Sequence, residues 1–373
     1  MRKPLSFFLP LMLILSIAGC SLPTVTPQAT SSDENPPTST APVTATAAPS
    51  TATPVAGRAL ITINNATRLE TIARAPASNV GGLAWSPDSR SLSMVTQNSS
   101  GNEQVFSASL LNIPDLTPKG VWAAPAGTQR MTAAADGRTV AVLSADLQTV
   151  TLVDLSSGEA FRTISPGFAV MMVTFSPDAK YLAVTAQEEW KVIVYEVGSG
   201  AVINTYTGFQ TAAPVFDAGF AGNGDWIVWH ARGTIQLQNV SSGALGTVMS
   251  HEDFVSTFSL SPDGKLLASG SAKTVNGNLS PVVILWDTAT STESRVLILT
   301  EPANALSFSP DGSLLAIALG GSIQVWDVAG GALRVTLPGS SDFIYHVEFS
   351  PDGRYLVSSA QDNQITLWGV PGQ

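Results

Sequence analysis

From Arg58 to the C-terminus, apolar and polar residues alternate in short runs. One set reads His346-Val347-Glu348-Phe349, then Tyr355 to Ala360 ("YLVSSA"), then Gln364 to Val370 ("QITLWGV"). The preceding set closes on a fourth run, "ALRVTL", at Ala332 to Leu337. A period of two puts successive side chains on opposite faces of a strand. Four such runs, separated by Gly, Asp, Asn and Ser, predict a four-stranded antiparallel meander. The 3.6-residue period of an amphipathic helix appears nowhere in this region.

The string between the first and second runs is a ruler. "FSPDG" stands at Phe349 and at Phe308, "LSPDG" at Leu260, "FSPDA" at Phe175 and "WSPDS" at Trp85, with degenerate copies "AAADG" at Ala133 and "FAGNG" at Phe220. The Asp or Asn falls at Asp88, Asp136, Asp178, Asn223, Asp263, Asp311 and Asp352, so the spacing runs from 40 to 48 residues. A period in the forties belongs to propeller blades. Pro presets φ for a tight turn, Asp bonds the local backbone, and Gly takes the left-handed conformation that follows. Ser89 and Ala179 replace that Gly in two copies. A metal role would need several oxygen ligands converging on each Asp. Copies spread round a ring supply one each, so the string reads as structure. The aromatic before it is expected to pack between blades.

The third runs end in Trp286-Asp287 and Trp326-Asp327, with weaker equivalents at Tyr195-Glu196, Val153-Asp154, Gln238-Asn239 and Trp368-Gly369. On these features the chain resembles the WD-repeat (WD40-like) β-propellers of bacteria over nearly all of 58–373. The resemblance implies an all-β, seven-bladed propeller of four-stranded antiparallel blades. The Gly-His dipeptide usual before the first strand is absent, so the family's Ser-His-Trp-Asp hydrogen-bond network is expected to be incomplete and apolar packing to dominate. Asp362 matches the family's turn Asp. TolB-type propellers, which share the turn string, are the nearest competing fold. The last blade has only three runs, and "NATRLETIAR" (Asn65 to Arg74) resembles its missing fourth. Arg68 to Ala73 is therefore expected to pair beside Gln364 to Val370.

The N-terminal region breaks the pattern. Arg2 and Lys3 precede an apolar stretch from Leu5 to Ala18 that ends in "SIAGCS". The stretch is short for a membrane span and suits a signal-peptide core. With Ala18 and Gly19 before Cys20, it resembles a bacterial lipoprotein box. That implies cleavage before Cys20 and lipidation of this only cysteine. Residues 20–57 are almost all Ser, Thr, Pro and Ala, too polar to offset their ordering entropy by burial. The expected organisation is a lipoprotein signal peptide (1–19), a lipidated, disordered tether (20–57) and the propeller (58–373). The chain is then held to a membrane on the extracytoplasmic side of the cell envelope.

Composition narrows the chemistry. Net charge is −10, with 18 Lys and Arg among 373 residues, which argues against nucleic acid as a partner. One cysteine and three histidines leave no zinc-site pattern, and no cofactor or metal is expected. The catalytic strings of hydrolases, zinc proteases and P-loop enzymes are absent. His230 reads as a solvated turn residue, His251 and His346 as packed or capped. Glu188 and Glu189 are adjacent and do not suit paired carboxylate catalysis. If the turn string marks one end of the ring, the other end carries the variable loops, with long turns expected at Thr96 to Glu103 and Gly270 to Pro281. Aromatics there (Phe168, Trp190, Phe209, Phe254, Phe343) suit protein anchors. The candidate binding residues are Trp190, Phe209, Phe343, Glu188, Lys273 and Asn276. The expected function is a monomeric, non-catalytic platform for unidentified protein partners. The alternatives are a propeller enzyme, a small-ligand or glycan binder at the central mouth, and a structural subunit of an envelope assembly complex.

Overall fold

A computed structural model describes residues 58–371, other than 101, 102, 187–190, 208–216, 222, 223, 225, 232 and 341. The expected signal peptide, Cys20 and the expected tether lie outside the described residues. Seven antiparallel sheets follow one another along the chain: blade 1 (80–123), blade 2 (130–164), blade 3 (170–207), blade 4 (217–250), blade 5 (257–298), blade 6 (303–338) and blade 7 (344–371). Among the described residues the only helical element is the 3₁₀ turn Ala66–Arg68, and no helix is long and apolar enough to cross a membrane.

Within each blade the four strands meander in chain order. First strands pack against those of neighbouring blades, as Val80–Trp85 does against Arg130–Ala133 and Ala303–Phe308 against Ile344–Phe349. They line the axis, and fourth strands form the outer edge. Blade 7 takes its fourth strand from the other end of the domain: Glu70–Pro76 pairs antiparallel with Gln364–Pro371, from Glu70 opposite Gly369 to Pro76 opposite Gln364. The expected closure is present, two to three residues displaced. Arg68 belongs to the 3₁₀ turn, and the ladder runs on to Pro76 past a bulge between Thr71 and Ala73. Arg58–Ala59 adds a second, short pairing at Pro371 and Val370.

The core is seven separate seams rather than one centre, because each blade has two apolar faces and each neighbour covers one. Alternation sorts the side chains. In Leu314–Leu319, Leu314, Ala316 and Ala318 face blade 7, whereas Leu315, Ile317 and Leu319 face blade 5. The seam that closes the ring stacks Trp85 on Tyr355 (centroids 6.3 Å apart, planes at 18°) with Leu92, Met94, Val357 and Leu367 around them. Trp85, Phe175, Phe308 and Phe349, the aromatics that precede the turns, are all buried in seams.

Candidate interaction face and central channel

The recurring turn uses up its own polar groups. In blade 5, Ser261 Oγ donates to Asp263 Oδ1 (2.7 Å), which also accepts from Lys265 N–H (3.1 Å). Leu266 N–H donates back to Ser261 Oγ (2.9 Å), and Gly264 N–H closes the turn on Ser261 O (2.8 Å). The Ser261 hydroxyl, then the Lys265 N–H, hold the Asp263 carboxyl below its ordinary range. The same bonds recur at Ser86-Asp88, Ser176-Asp178, Ser309-Asp311 and Ser350-Asp352. The residue after the Asp has positive φ in all seven copies, including Ser89 (57°) and Ala179 (58°). The turns also help close the ring, since Asp352 N–H donates to Ser89 Oγ (3.0 Å). At this end, the hairpins after the third strands abut the preceding blade. Gly200, Gly243 and Gly331 leave room for Arg162, Asn204 and Arg295 of that blade, where a Cβ would clash at 2.9, 2.6 and 2.7 Å.

The opposite end carries the hairpins between second and third strands and the links from fourth to first strands. The two long turns expected here are hairpin extensions. Leu266–Val275 and Asn278–Asp287 stay paired to the tip, and Asn276 (φ 51°) with Gly277 (φ 80°) makes a two-residue turn. Asn-Gly suits a type I′ turn, whose twist matches its strands. Asn276 therefore shapes a turn. Ser91–Ser100 and Glu103–Asn112 extend likewise. Lys273 is paired with Glu293 and half-buried rather than a free cation. Phe343 is exposed and packs its ring 5.5 Å from that of Tyr345, also exposed. Phe254 holds the corresponding place in the link to blade 5 and is 48% exposed. Phe168, expected here as a surface aromatic, is buried in the seam of blades 2 and 3, with the Lys191 ammonium 5.1 Å from its ring centre. Its link carries it inward beside Val170. Trp190, Phe209 and Glu188 lie outside the described residues. His230 falls inside the strand Trp226–Ala231, not in a turn.

Two histidines are structural. Trp286 Nε1–H donates to Ser269 Oγ (2.9 Å), whose hydroxyl lies 2.7 Å from His251 Nε2; His251 Nδ1 lies 3.2 Å from Gly233 O. Three of the four members of the expected network are thus assembled in blade 5, although Ser250 rather than Gly precedes the His. Burial pushes His251 down to about 4, so the ring is neutral and Nδ1–H donates to the carbonyl. Blade 7 holds the other parts. Trp368 Nε1–H donates to Ser358 Oγ (3.0 Å), and Ser340 Oγ donates to Asp362 Oδ2 (2.8 Å).

The axial side of the first strands carries charges that the sequence did not announce, Arg130 on blade 2 and Glu348 on blade 7. On Ile344–Phe349, Val347 and Phe349 enter the seam with blade 6, so His346 and Glu348 lie on the opposite side, toward the axis. His346 Nδ1 lies 2.7 Å from Ser359 Oγ, and burial pushes it to about 4. Burial pushes the Glu348 carboxyl up to about 8. Comparing copies could have flagged it: the Glu348 register position is Ala84, Thr132, Thr174, Gly219, Ser259 and Ser307 in the other blades. Among the described residues no group of three or more metal-ligating side chains converges.

Comparison with known proteins agrees with this geometry. The WD domain, G-beta repeat model matches residues 243–276, 294–327 and 331–369. These three segments match the WD40 repeat. Each match starts near the outer strand of one blade and ends in the next, the same one-strand offset by which Glu70–Pro76 completes blade 7. The chain is similar to Periodic tryptophan protein 2 of Arabidopsis thaliana (28% identity over 206 residues, 54% of this chain and 22% of that protein). It is also similar to small ribosomal subunit protein RACK1 of Schizosaccharomyces pombe (36% over 129 residues, 32% of this chain and 39% of that protein) and of Caenorhabditis elegans (31% over 134 residues, 32% and 38%). The chain thus spans well under half the length of these relatives.

Proposed function

We propose that this protein is a non-catalytic interaction platform, held to a membrane by lipid on Cys20 and presenting its loop-rich end to a protein partner. The observation that carries this reading is the contrast between the two ends. Turn Asp and Ser groups at one end are spent on local bonds, whereas the other exposes the Phe343–Tyr345 pair and Phe254 beside exposed Asp253, Glu301 and Asp342. Aromatic anchors within a polar rim are the usual makings of a binding face. WD40 repeats support the same reading, and one relative is named for its place in an assembly, the small ribosomal subunit.

Ile61 N–H donates to Gly353 O (2.8 Å), and the Arg354 guanidinium bonds Arg58 O, so the first described residues join the propeller at the turn-string end. The test is co-purification from detergent-solubilised cells. A partner recovered with the native chain should be lost with Phe343→Ser/Tyr345→Ser and kept with Lys265→Ser. Recovery unaffected by the double variant would overturn the choice of face. Cys20→Ser should release the protein from the membrane fraction; if it stays bound, the anchor is wrong.

A further inference from the structure

Glu348 is an acidic side chain with no cation beside it to stabilise its ionised form. It stands on the innermost strand of blade 7, on the side facing the axis, and among the described residues it has neither a hydrogen-bond nor an ion-pair partner. Its neighbours do not neutralise it. The strands beside it, Val80–Trp85, Ala303–Phe308 and Tyr355–Ala360, carry a single titratable side chain, Tyr355, and that ring is engaged with Trp85 in the closing seam. On its own strand His346 is neutral and bound to Ser359. Arg130, on blade 2, occupies the His346 register and contributes nothing to the Glu348 titration. Ser307, beside it on blade 6, accepts from Phe349 N–H (3.0 Å).

The level of Glu348 is otherwise lined by small side chains, four of them hydroxyls: Thr132, Thr174, Ser259 and Ser307. The hydroxyls of Thr132, Thr174 and Ser259 are hydrogen-bond acceptors that a cation at this level can use. A desolvated lone charge is costly, and a matching cation offsets that cost. The end of the channel above it holds the exposed aromatic pair and Asp342. Aromatic faces and carboxylates both favour a cation.

We propose that the channel at Glu348 is a subsite for one cationic side chain at the tip of a partner's segment, entering past Phe343 and Tyr345 and pairing with the Glu348 carboxylate. This rests on the loop-rich end being the protein-binding face, and it names the chemistry that face selects.

The test uses the folded chain and two synthetic peptides, acetyl-Gly-Gly-Arg-Gly-Gly-amide and its citrulline counterpart, titrated calorimetrically at pH 8.5 and low salt, conditions that favour the ionised form of Glu348. The arginine peptide should bind at least tenfold more tightly than the neutral one, and Glu348→Gln should abolish that preference. On the unsubstituted protein, the ¹³C carboxyl resonance of Glu348 should move with the arginine peptide and stay with citrulline, which needs no variant to fold. Equal affinities for the two peptides, or a preference that survives Glu348→Gln, would overturn the subsite. A preference lost instead in Asp342→Asn would put the cation at the rim, overturning the channel site while leaving the binding face intact. The Phe343→Ser/Tyr345→Ser co-purification decides that face independently of either peptide.

Discussion

Ser269 is the keystone of the buried polar chain in blade 5. Its side chain is fully buried; it accepts from Trp286 Nε1–H and contacts His251 Nε2. Ser269→Ala removes one oxygen and strands two polar groups, an indole donor and an imidazole acceptor. Leaving a buried group unsatisfied costs about 1–3 kcal/mol, so the loss for two is roughly 2–6 kcal/mol. A domain of this size unfolds with an entropy that turns each kcal/mol into about 1.5 °C, so Tm should fall by roughly 3–9 °C. Ser358→Ala in blade 7 is the internal control, because Ser358 accepts from Trp368 alone and strands one group, at about half the cost. Calorimetry on both variants, with Trp286→Phe and the Ser269→Ala/Trp286→Phe double variant, completes a cycle. The double variant should lose less than the sum of the singles, by about 1 kcal/mol or more. Equal losses at Ser269 and Ser358, together with strict additivity in the cycle, would refute the reasoning and make the chain incidental to apolar packing.

Deleting residues 58–76 removes the last strand of blade 7 and uncovers the side chains that Ile61 and Leu69 protect; at roughly 2 kcal/mol per buried aliphatic, plus the ladder, Tm should fall by about 8 °C or more, and an unchanged melt would disprove closure by this strand. Stability should depend on pH from both sides. His251 and His346, each pushed to about 4, resist protonation in the fold, so stability is full above the unfolded value near 6.5 and is lost as pH falls toward 4. Glu348, pushed to about 8, acts oppositely, with stability full below the unfolded value near 4.5 and lost as pH rises toward 8. Glu348→Gln should therefore raise stability at pH 7 by on the order of 2 kcal/mol and flatten the alkaline side of the profile; an unchanged slope between pH 6.5 and 8 in denaturant titrations contradicts the channel placement. Ala179→Gly should gain up to about 1 kcal/mol, since the left-handed backbone costs Ala more than Gly loses in chain entropy, and a loss in urea titration would count against strain at that turn.

Much of this architecture was legible because it repeats. A turn whose Ser and Asp bond each other and the local backbone keeps its Ser, Pro, Asp and Gly visible, so Asp88 and Asp352 mark blades in the sequence itself. The missing seventh outer strand followed from the same count. The extended hairpin of blade 5 resembles a loop in the sequence because Lys273, Thr274 and Asn276-Gly277 interrupt the apolar run, although Val275 still packs against the seam of blades 4 and 5. The His251–Ser269–Trp286 chain escaped because its usual Gly-His signal is absent and three residues spread over 36 positions meet only in the fold. Glu348 escaped for a related reason. Strand alternation marks the side of Ile344–Phe349 away from the seam as polar, but only the ring turns that side into a confined channel rather than open water.

The central claim is that partners meet the loop-rich end. A photo-cross-linking amino acid placed at Phe343 and, separately, at Lys265 on the turn-string end tests it in intact cells. The account predicts a discrete protein adduct from position 343, suppressed when Tyr345 is replaced by Ser, and none from position 265. Adducts from position 265 alone would contradict it.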